Sequence, residues 1–250
     1  MRLIKWILGI LIGLGLLLFI VVKIASEPLP EGQTGAEADA LANKVLAAIN
    51  KNNWDSTGIV QWTFRGENHF LWDKDRNLVR VNWGDNEVFV VLDETTGKAY
   101  QNGKEVTGEA GDKLVKEAWS YFCNDSFWLN APAKVFDPGT ERSVVDLGNG
   151  EKGLLISYKS GGVTPGDSYL WLLDENGLPE SYKMWVSIIP VGGMEVTWED
   201  YKTISTGAKL ATEHQTALFG KELSIPVTDI KGAKNLTEFG LAEDPFQPIL

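Results

Sequence analysis

Apolar and polar positions follow three different periods along this chain, and each predicts a different kind of element. From Trp6 to Val22 there is no alternation: no residue is charged, and Leu, Ile, Val and Gly dominate. With Leu3 and Ile24 as outer limits, a helix over this run would measure roughly 33 Å at about 1.5 Å per residue, enough to cross a bilayer. Lys5 and Lys23 sit just inside those limits, where long stems let the ammonium groups reach the headgroups, and Trp6 suits the interfacial belt. The run predicts a transmembrane signal anchor over residues 1–25. A cleaved signal peptide is the competing reading; it needs a long apolar region and a processing site near Ala25 and Ser26, beside Lys23 and Ile24. Residues 26–35 hold two Pro and two Gly with little apolar content and read as a linker lifting the next domain off the bilayer.

From Ala36 to Asn50 the period becomes helical, with Ala40, Leu41, Lys44, Val45, Ala48 and Ile49 at helical spacing. After Asn53 it switches to two: Val60, Trp62 and Phe64 point one way, Gln61, Thr63 and Arg65 the other. The alternation recurs at Phe70 and Trp72, at Val79, Val81 and Trp83, and in a denser run from Val88 to Leu92. Polar bends at Asp73–Asn77 and Gly84–Asn86, and tight turns at Thr96–Gly97 and Asn102–Gly103, join these runs into an antiparallel meander. Glu109 to Asn124 then sets Leu114, Val115, Ala118, Trp119 and Phe122 on one helical stripe, predicting a covering helix. Pro132 and Pro138 mark a bend.

A second meander is predicted from Val144 to Tyr201. Its apolar sets are Leu154, Ile156 and Tyr158; Tyr169, Trp171 and Leu173; Met184, Val186 and Ile188; and Met194, Val196 and Trp198. Asn149–Gly150, Asn176–Gly177 and Gly192–Gly193 punctuate it, and Gly161, Gly162 and Gly166 read as a long turn. Late strands are expected at Ala208–His214 and Leu223–Val227. The end, with Pro245 and Pro248, reads as a loosely held tail over 233–250, leaving a mainly β domain over 36–232.

Composition narrows the function classes. Ten Trp beside one Cys, Cys123, exclude a disulfide-stapled scaffold and a Cys-based zinc site, since either needs a pair of thiols. A net charge of −11 argues against nucleic acid as a partner, because a basic footprint must replace the phosphate counterions. The amino terminus, Arg2 and Lys5 precede the apolar run, whereas Glu27, Glu31, Glu37 and Asp39 follow Lys23. The amino terminus is therefore expected in the cytoplasm and the main domain outside it, in the periplasm if the host has two membranes. No Cys follows the run to take an acyl chain. Gly9 and Gly13 have the small-xxx-small spacing of packed anchors, which would give a weak homodimer; glycine is also common in spanning helices without any such role.

The stretches FRGENHFLWDKDRNLVRVNW and VFVVLDETTGKAYQNGKEV, and later LWLLDENGLPESYKMWV, are similar to paired strands of the superfamily of the periplasmic lipoprotein carrier and the outer-membrane lipoprotein receptor (LolA/LolB-like). FWLNAPAKVFDPGTER looks like exported proteins sharing that fold. The likeness covers roughly Ala36 to Ile230. It implies an α+β, mainly β fold: a curved, half-open antiparallel β-barrel with covering helices, holding an apolar cavity for acyl chains. The carrier has its signal removed and the receptor is lipid-anchored, whereas the anchor reading keeps a spanning helix here.

No catalytic constellation is present. Asp73, Asp75 and Asn77 imitate the start of a calcium loop, but Leu78 stands where Gly is needed and Gly84 where a bidentate Glu is needed. His69 and His214 lack any metal-ligand spacing. Nucleophile elbows, phosphate loops and dinucleotide fingerprints are absent, and no cofactor is implied. Aromatic placement is the remaining signal. Trp62, Phe64, Trp72, Trp83, Phe89, Trp171, Trp185 and Trp198 are candidate wall residues for an acyl chain, a lipoprotein or another apolar ligand. The alternative is that the tryptophans simply fill the core, leaving a protein-interaction or envelope-structural module.

Overall fold

The computed structural model describes residues 2–148, 150–160, 165–218 and 221–250, and omits the side chains of 2–5, 7–9, 12, 18, 19 and 218. The turn residue Asn149, Gly161 and Gly162 of the long turn, and Lys5 and Gly9 of the anchor run lie outside the described residues or side chains. Among the described residues there are five α-helices: α1 (Arg2–Ala25), α2 (Ala36–Ala48), α3 (Lys51–Asp55), α4 (Gly108–Asn130) and α5 (Leu236–Phe239). Strands β1 (Ile59–Phe64), β2 (Asn68–Asp73), β3 (Leu78–Trp83), β4 (Asn86–Val91), β5 (Thr96–Gln101) and β6 (Lys104–Val106) precede α4. After it come β7 (Thr140–Gly148), β8 (Glu151–Tyr158), β9 (Ser168–Leu173), β10 (Pro179–Trp185) and β11 (Met194–Thr197). A short pair, β12 (Lys202–Thr203) and β13 (Lys209–Leu210), is followed by β14 (Glu213–Leu218) and β15 (Lys221–Ala233).

Thirteen of these strands form one sheet in the order β6-β5-β4-β3-β2-β1-β15-β14-β11-β10-β9-β8-β7, while β12 and β13 pair only with each other. Every pairing is antiparallel. The fold is thus mainly β, a large curved antiparallel sheet with helices, and the barrel is not closed. β15 joins the two meanders: Lys221–Pro226 pair with β14 and Val227–Ala233 with β1.

Period-two alternation sorts the side chains. Val60, Trp62, Phe64, Phe70, Val79, Val81, Val88 and Val90 bury on one face and pack with α4 residues Val115, Ala118, Phe122 and Leu129. Leu154, Ile156, Trp171, Tyr182, Met184, Val196 and Trp198 continue this inner face through the second meander, with Ala42 and Val45 of α2. The outer face carries two smaller clusters, one around Leu71, Phe89 and Phe246 and one around Val145, Leu155 and Leu170.

Several expectations are corrected. The first helical run breaks at Ile49, where Asn50 turns left-handed (φ 57°) before α3, and its buried positions are Ala38, Ala42, Val45 and Ile49; Ala40 and Lys44 are exposed. Thr96–Gly97 is not a turn but the start of β5. The reversal falls earlier, with Thr95 at φ 53°, and a Cβ on Gly97 would stand 1.8 Å from the Phe89 carbonyl oxygen, so the two strands approach as only glycine allows. Asn102 and Gly103 do form the expected turn, at φ 50° and 73°. β10 ends at Trp185, leaving Ile188 exposed. Ala208–His214 splits between β13 and β14, and Leu223–Val227 is the middle of the much longer β15.

The linker and the tail are also held. The Glu27 N–H donates to the Gly192 carbonyl, Lys183 pairs with the Glu27 carboxylate, and Gln33 bridges to Val144. At the other end Phe246 is fully buried among Ile59, Leu71, Leu78 and Phe89. Arg76 ties that end down by donating to Asp73 and, through both terminal nitrogens, to Asp244. Prolines 245 and 248 shape this segment without freeing it.

α1 is one continuous helix, yet among the described residues no helix is long and apolar enough to cross a membrane.

Candidate functional site

The layer between α4 and the inner face of the sheet gathers most of the candidate residues. Trp62 stacks on Phe70 at 4.6 Å between ring centroids, Trp72 meets Phe122 edge-on at 5.1 Å, and Trp83 meets Tyr121 edge-on at 5.3 Å. In the second meander Trp171 lies 5.0 Å from Tyr182 and 5.1 Å from Trp198. Trp128 on α4 links the halves, reaching Phe64 at 6.2 Å on one side and stacking over Trp198 at 6.4 Å on the other. Trp62, Phe64, Trp72, Trp83, Trp171 and Trp198 therefore belong to one continuous aromatic layer.

Phe89 and Trp185 do not join it. Phe89 lies between the inner-facing Val88 and Val90, so the pleat turns it outward against Tyr100 and the carboxy-terminal segment. Trp185 follows Met184 and turns outward for the same reason; its indole N–H donates to the Glu27 carbonyl at 2.8 Å.

The space beside Trp198, bounded by Leu129, Asn130, Tyr201 and Leu210, holds about 10 Å³, at the lower limit for one water. The layer also carries buried polar atoms: Trp62 Nε1, Trp72 Nε1, Asn130 Oδ1, Tyr182 OH and His214 Nε2. His214 lies against Trp198 at 4.0 Å, and its Nδ1 faces the Thr197 carbonyl at 3.2 Å. Burial holds its pKa down at about 4, opposed by the Thr197 and Trp128 backbones. Burial also raises the Tyr182 phenol well above its ordinary range. Asp125, on the buried side of α4, accepts from Asn68 at 2.7 Å and from Asn124 at 2.8 Å; burial still pushes its carboxyl up.

Sequence reading missed Tyr182 and His214 as members of this layer. Tyr182 had a signal, since it shares parity with Met184. His214 had none, because its neighbours in phase are Thr212 and Thr216.

Elsewhere the chemistry is structural. The Asp73 carboxylate accepts from the Arg76 backbone and guanidinium, so the calcium-like turn uses its first acid internally. Among the described residues no three His, Cys, Asp or Glu side chains gather as a metal site. Burial pushes the Cys123 thiol up to about 11, away from the reactive thiolate. His69 lies on the outer face beside Thr63, at 2.9 Å.

No protein-family model and no curated protein matches the chain. Among solved structures, a DUF1329 family protein from Desulfovibrio piger superposes with a TM-score of 0.40 at 11% identity, over 78% of this chain and 92% of that one. A domain described as an outer membrane lipoprotein-sorting protein, from Vibrio parahaemolyticus, superposes with a TM-score of 0.35 at 11% identity, over 82% and 97%. Neither superposition is close enough to carry a function across.

Proposed function

We propose that this chain is a membrane-anchored extracytoplasmic binding domain, non-catalytic, that admits an acyl chain, a lipoprotein or another apolar ligand between α4 and the inner face of its sheet. The observation that carries the reading is the aromatic layer itself, in which Trp128 of α4 reaches Phe64 in the first meander and Trp198 in the second. The rings offer apolar walls, and the indole N–H, phenol and imidazole groups offer contacts for an ester or amide at the end of an acyl chain.

α1 bears on the anchor: Trp6, Ile10, Leu11, Leu14, Leu17 and Ile24 are all exposed, with the domain covering none of them, an apolar surface that would lie against a membrane although the helix is not long and apolar enough to cross one. The pull-down of residues 26–35 onto β7, β10 and the turn before β11 would then hold the domain close to the bilayer.

A fluorescent fatty acid titrated into the full chain in mild detergent tests the ligand reading. Trp83 is only half-buried, at the rim over Tyr121. Trp83→Ala should weaken binding about tenfold while lowering the melting temperature only slightly. Absence of saturable binding by the wild-type chain would favour the second reading, a protein-interaction or envelope-structural module, which the narrow space of about 10 Å³ beside Trp198 supports.

A further inference from the structure

The loop over residues 186–193, between β10 and β11, reads Val-Ser-Ile-Ile-Pro-Val-Gly-Gly and carries no charge. Its two isoleucines part ways. Ile189 packs against the inner cluster of the second meander, whereas Ile188 is 71% exposed. Hydrogen bonds hold the loop in this form: the Ser187 N–H donates to the Asp167 carboxylate at 2.9 Å, the Ile189 N–H to the Val186 carbonyl at 3.2 Å, and the Gly193 N–H to the Met184 carbonyl at 2.9 Å. A fixed turn thus presents a large aliphatic side chain outward.

One exposed isoleucine is ordinary; its place beside the end of α1 gives it a partner. The Gly192 N–H donates to the Ser26 hydroxyl at 2.8 Å, the Glu27 N–H to the Gly192 carbonyl at 2.9 Å, and the Trp185 indole to the Glu27 carbonyl at 2.8 Å. A Cβ on Gly192 would stand 2.9 Å from the Glu27 carbonyl oxygen, and one on Gly193 2.6 Å from the Glu27 Cβ, so the contact is as close as glycine allows. Ile24, at the end of the apolar surface of α1, is 82% exposed and lies two residues before Ser26. Two residues span at most about 7 Å, so a membrane that holds the end of α1 has this loop at its surface. The neighbouring charges are spent on each other, Lys183 pairing with Glu27 at 2.9 Å. We infer that residues 186–193 form a second membrane contact, which seats Ile188 in the leaflet that meets α1; the inference rests on the reading of α1 as membrane-bound. A chain of net charge −11 gains no attraction from anionic headgroups, so the affinity is apolar and a neutral bilayer suffices.

The test uses the full chain with Cys123→Ala and one new cysteine, Ile188→Cys, Leu14→Cys or Leu147→Cys, carrying a nitrobenzoxadiazole label. All three sites are exposed, so none of these cysteines removes a buried contact; Leu147 lies near the β7–β8 turn, at the other end of the second meander. Each chain is reconstituted into phosphatidylcholine vesicles with or without bromine on the acyl chains, which quenches only labels in the hydrocarbon. The expected result is a loss of emission of about twofold or more at 188 and at 14, with none at 147. Quenching at 14 without quenching at 188 overturns the inference and leaves the membrane reading of α1 standing. Quenching at 188 without quenching at 14 supports the loop contact and removes that reading. Equal quenching at 188 and 147 overturns the inference, because the domain then has no preferred face toward the bilayer. A label at 188 that stays unquenched but shifts to the blue as chain density rises overturns it too, since a second copy then covers the loop.

Discussion

The two meanders share one sheet but are built differently. In the first, β1 to β5 pair in sequence order without a register shift, and the inner face is aliphatic and aromatic, with the indole nitrogens of Trp62 and Trp72 among its buried atoms. In the second, the ladder slips between Asp146 and Gly148 and between Pro179 and Ser181, and β11 touches β14 through one residue pair. Its core holds Tyr182 and His214 among tryptophans. The first half is stabilised by filling space. The second half adds a buried phenol, Tyr182, and a buried imidazole, His214, so it should answer to pH through His214 where Trp62 in the first answers to volume.

The comparison breaks most visibly at Trp62. Trp62→Ala empties a wholly buried site in the first meander and should cost about 3–5 kcal/mol in denaturant titration, nearly independent of pH. A loss under about 1 kcal/mol would show that this half is not close-packed.

His214 tests the other half. Its folded pKa of about 4 lies below the ordinary 6.5, so the unfolded chain binds the extra proton between those values. Stability from keeping His214 neutral is full above pH 6.5 and drains away as pH falls toward 4, by about 3 kcal/mol in all. Asp125 works in the opposite direction, since a raised carboxyl pKa favours the folded state as acid is added. The His214→Phe variant should lose the dependence between pH 6.5 and 4; an unchanged slope would place its origin elsewhere.

Gly97→Ala examines the tight pairing in the first half. The added methyl meets the Phe89 carbonyl, so β4 and β5 must separate, at a cost of about 2 kcal/mol and with faster amide exchange along β5. The smallest effect belongs to the strap. Asp244→Ala removes a partly exposed pairing with Arg76 and should cost about 1 kcal/mol or less, abolished by high salt. A larger loss would mean that the tail holds the outer face of the first meander more firmly than its ion pair suggests.

Legibility followed locality. The runs around Trp62, Trp72 and Val81 were readable because a half-buried strand writes its two faces into alternate residues. The stripe of α4 was readable for the analogous helical reason, although the helix runs past Asn124 to Asn130. Phe89 and Trp185 show the limit: residue type suggested a common wall, while parity sends them to the opposite face. For His214, type and pattern both pointed to an ordinary strand residue, and only packing from α4 and Trp198 makes it buried.

The sequence by itself determined most strands of the two meanders, the inward parity of the runs around Trp62 and Trp171, the covering helix, the apolar amino-terminal run and the absence of any short catalytic motif. Tertiary structure alone decided that the last strand, β15, enters the middle of the sheet between β1 and β14, and that the two ends of the domain are fastened down. The reason is physical: periodicity reports which side of a strand meets apolar surroundings. The choice of partner is made by contacts between residues far apart in the chain, whose closure entropy is recovered only when the whole sheet forms.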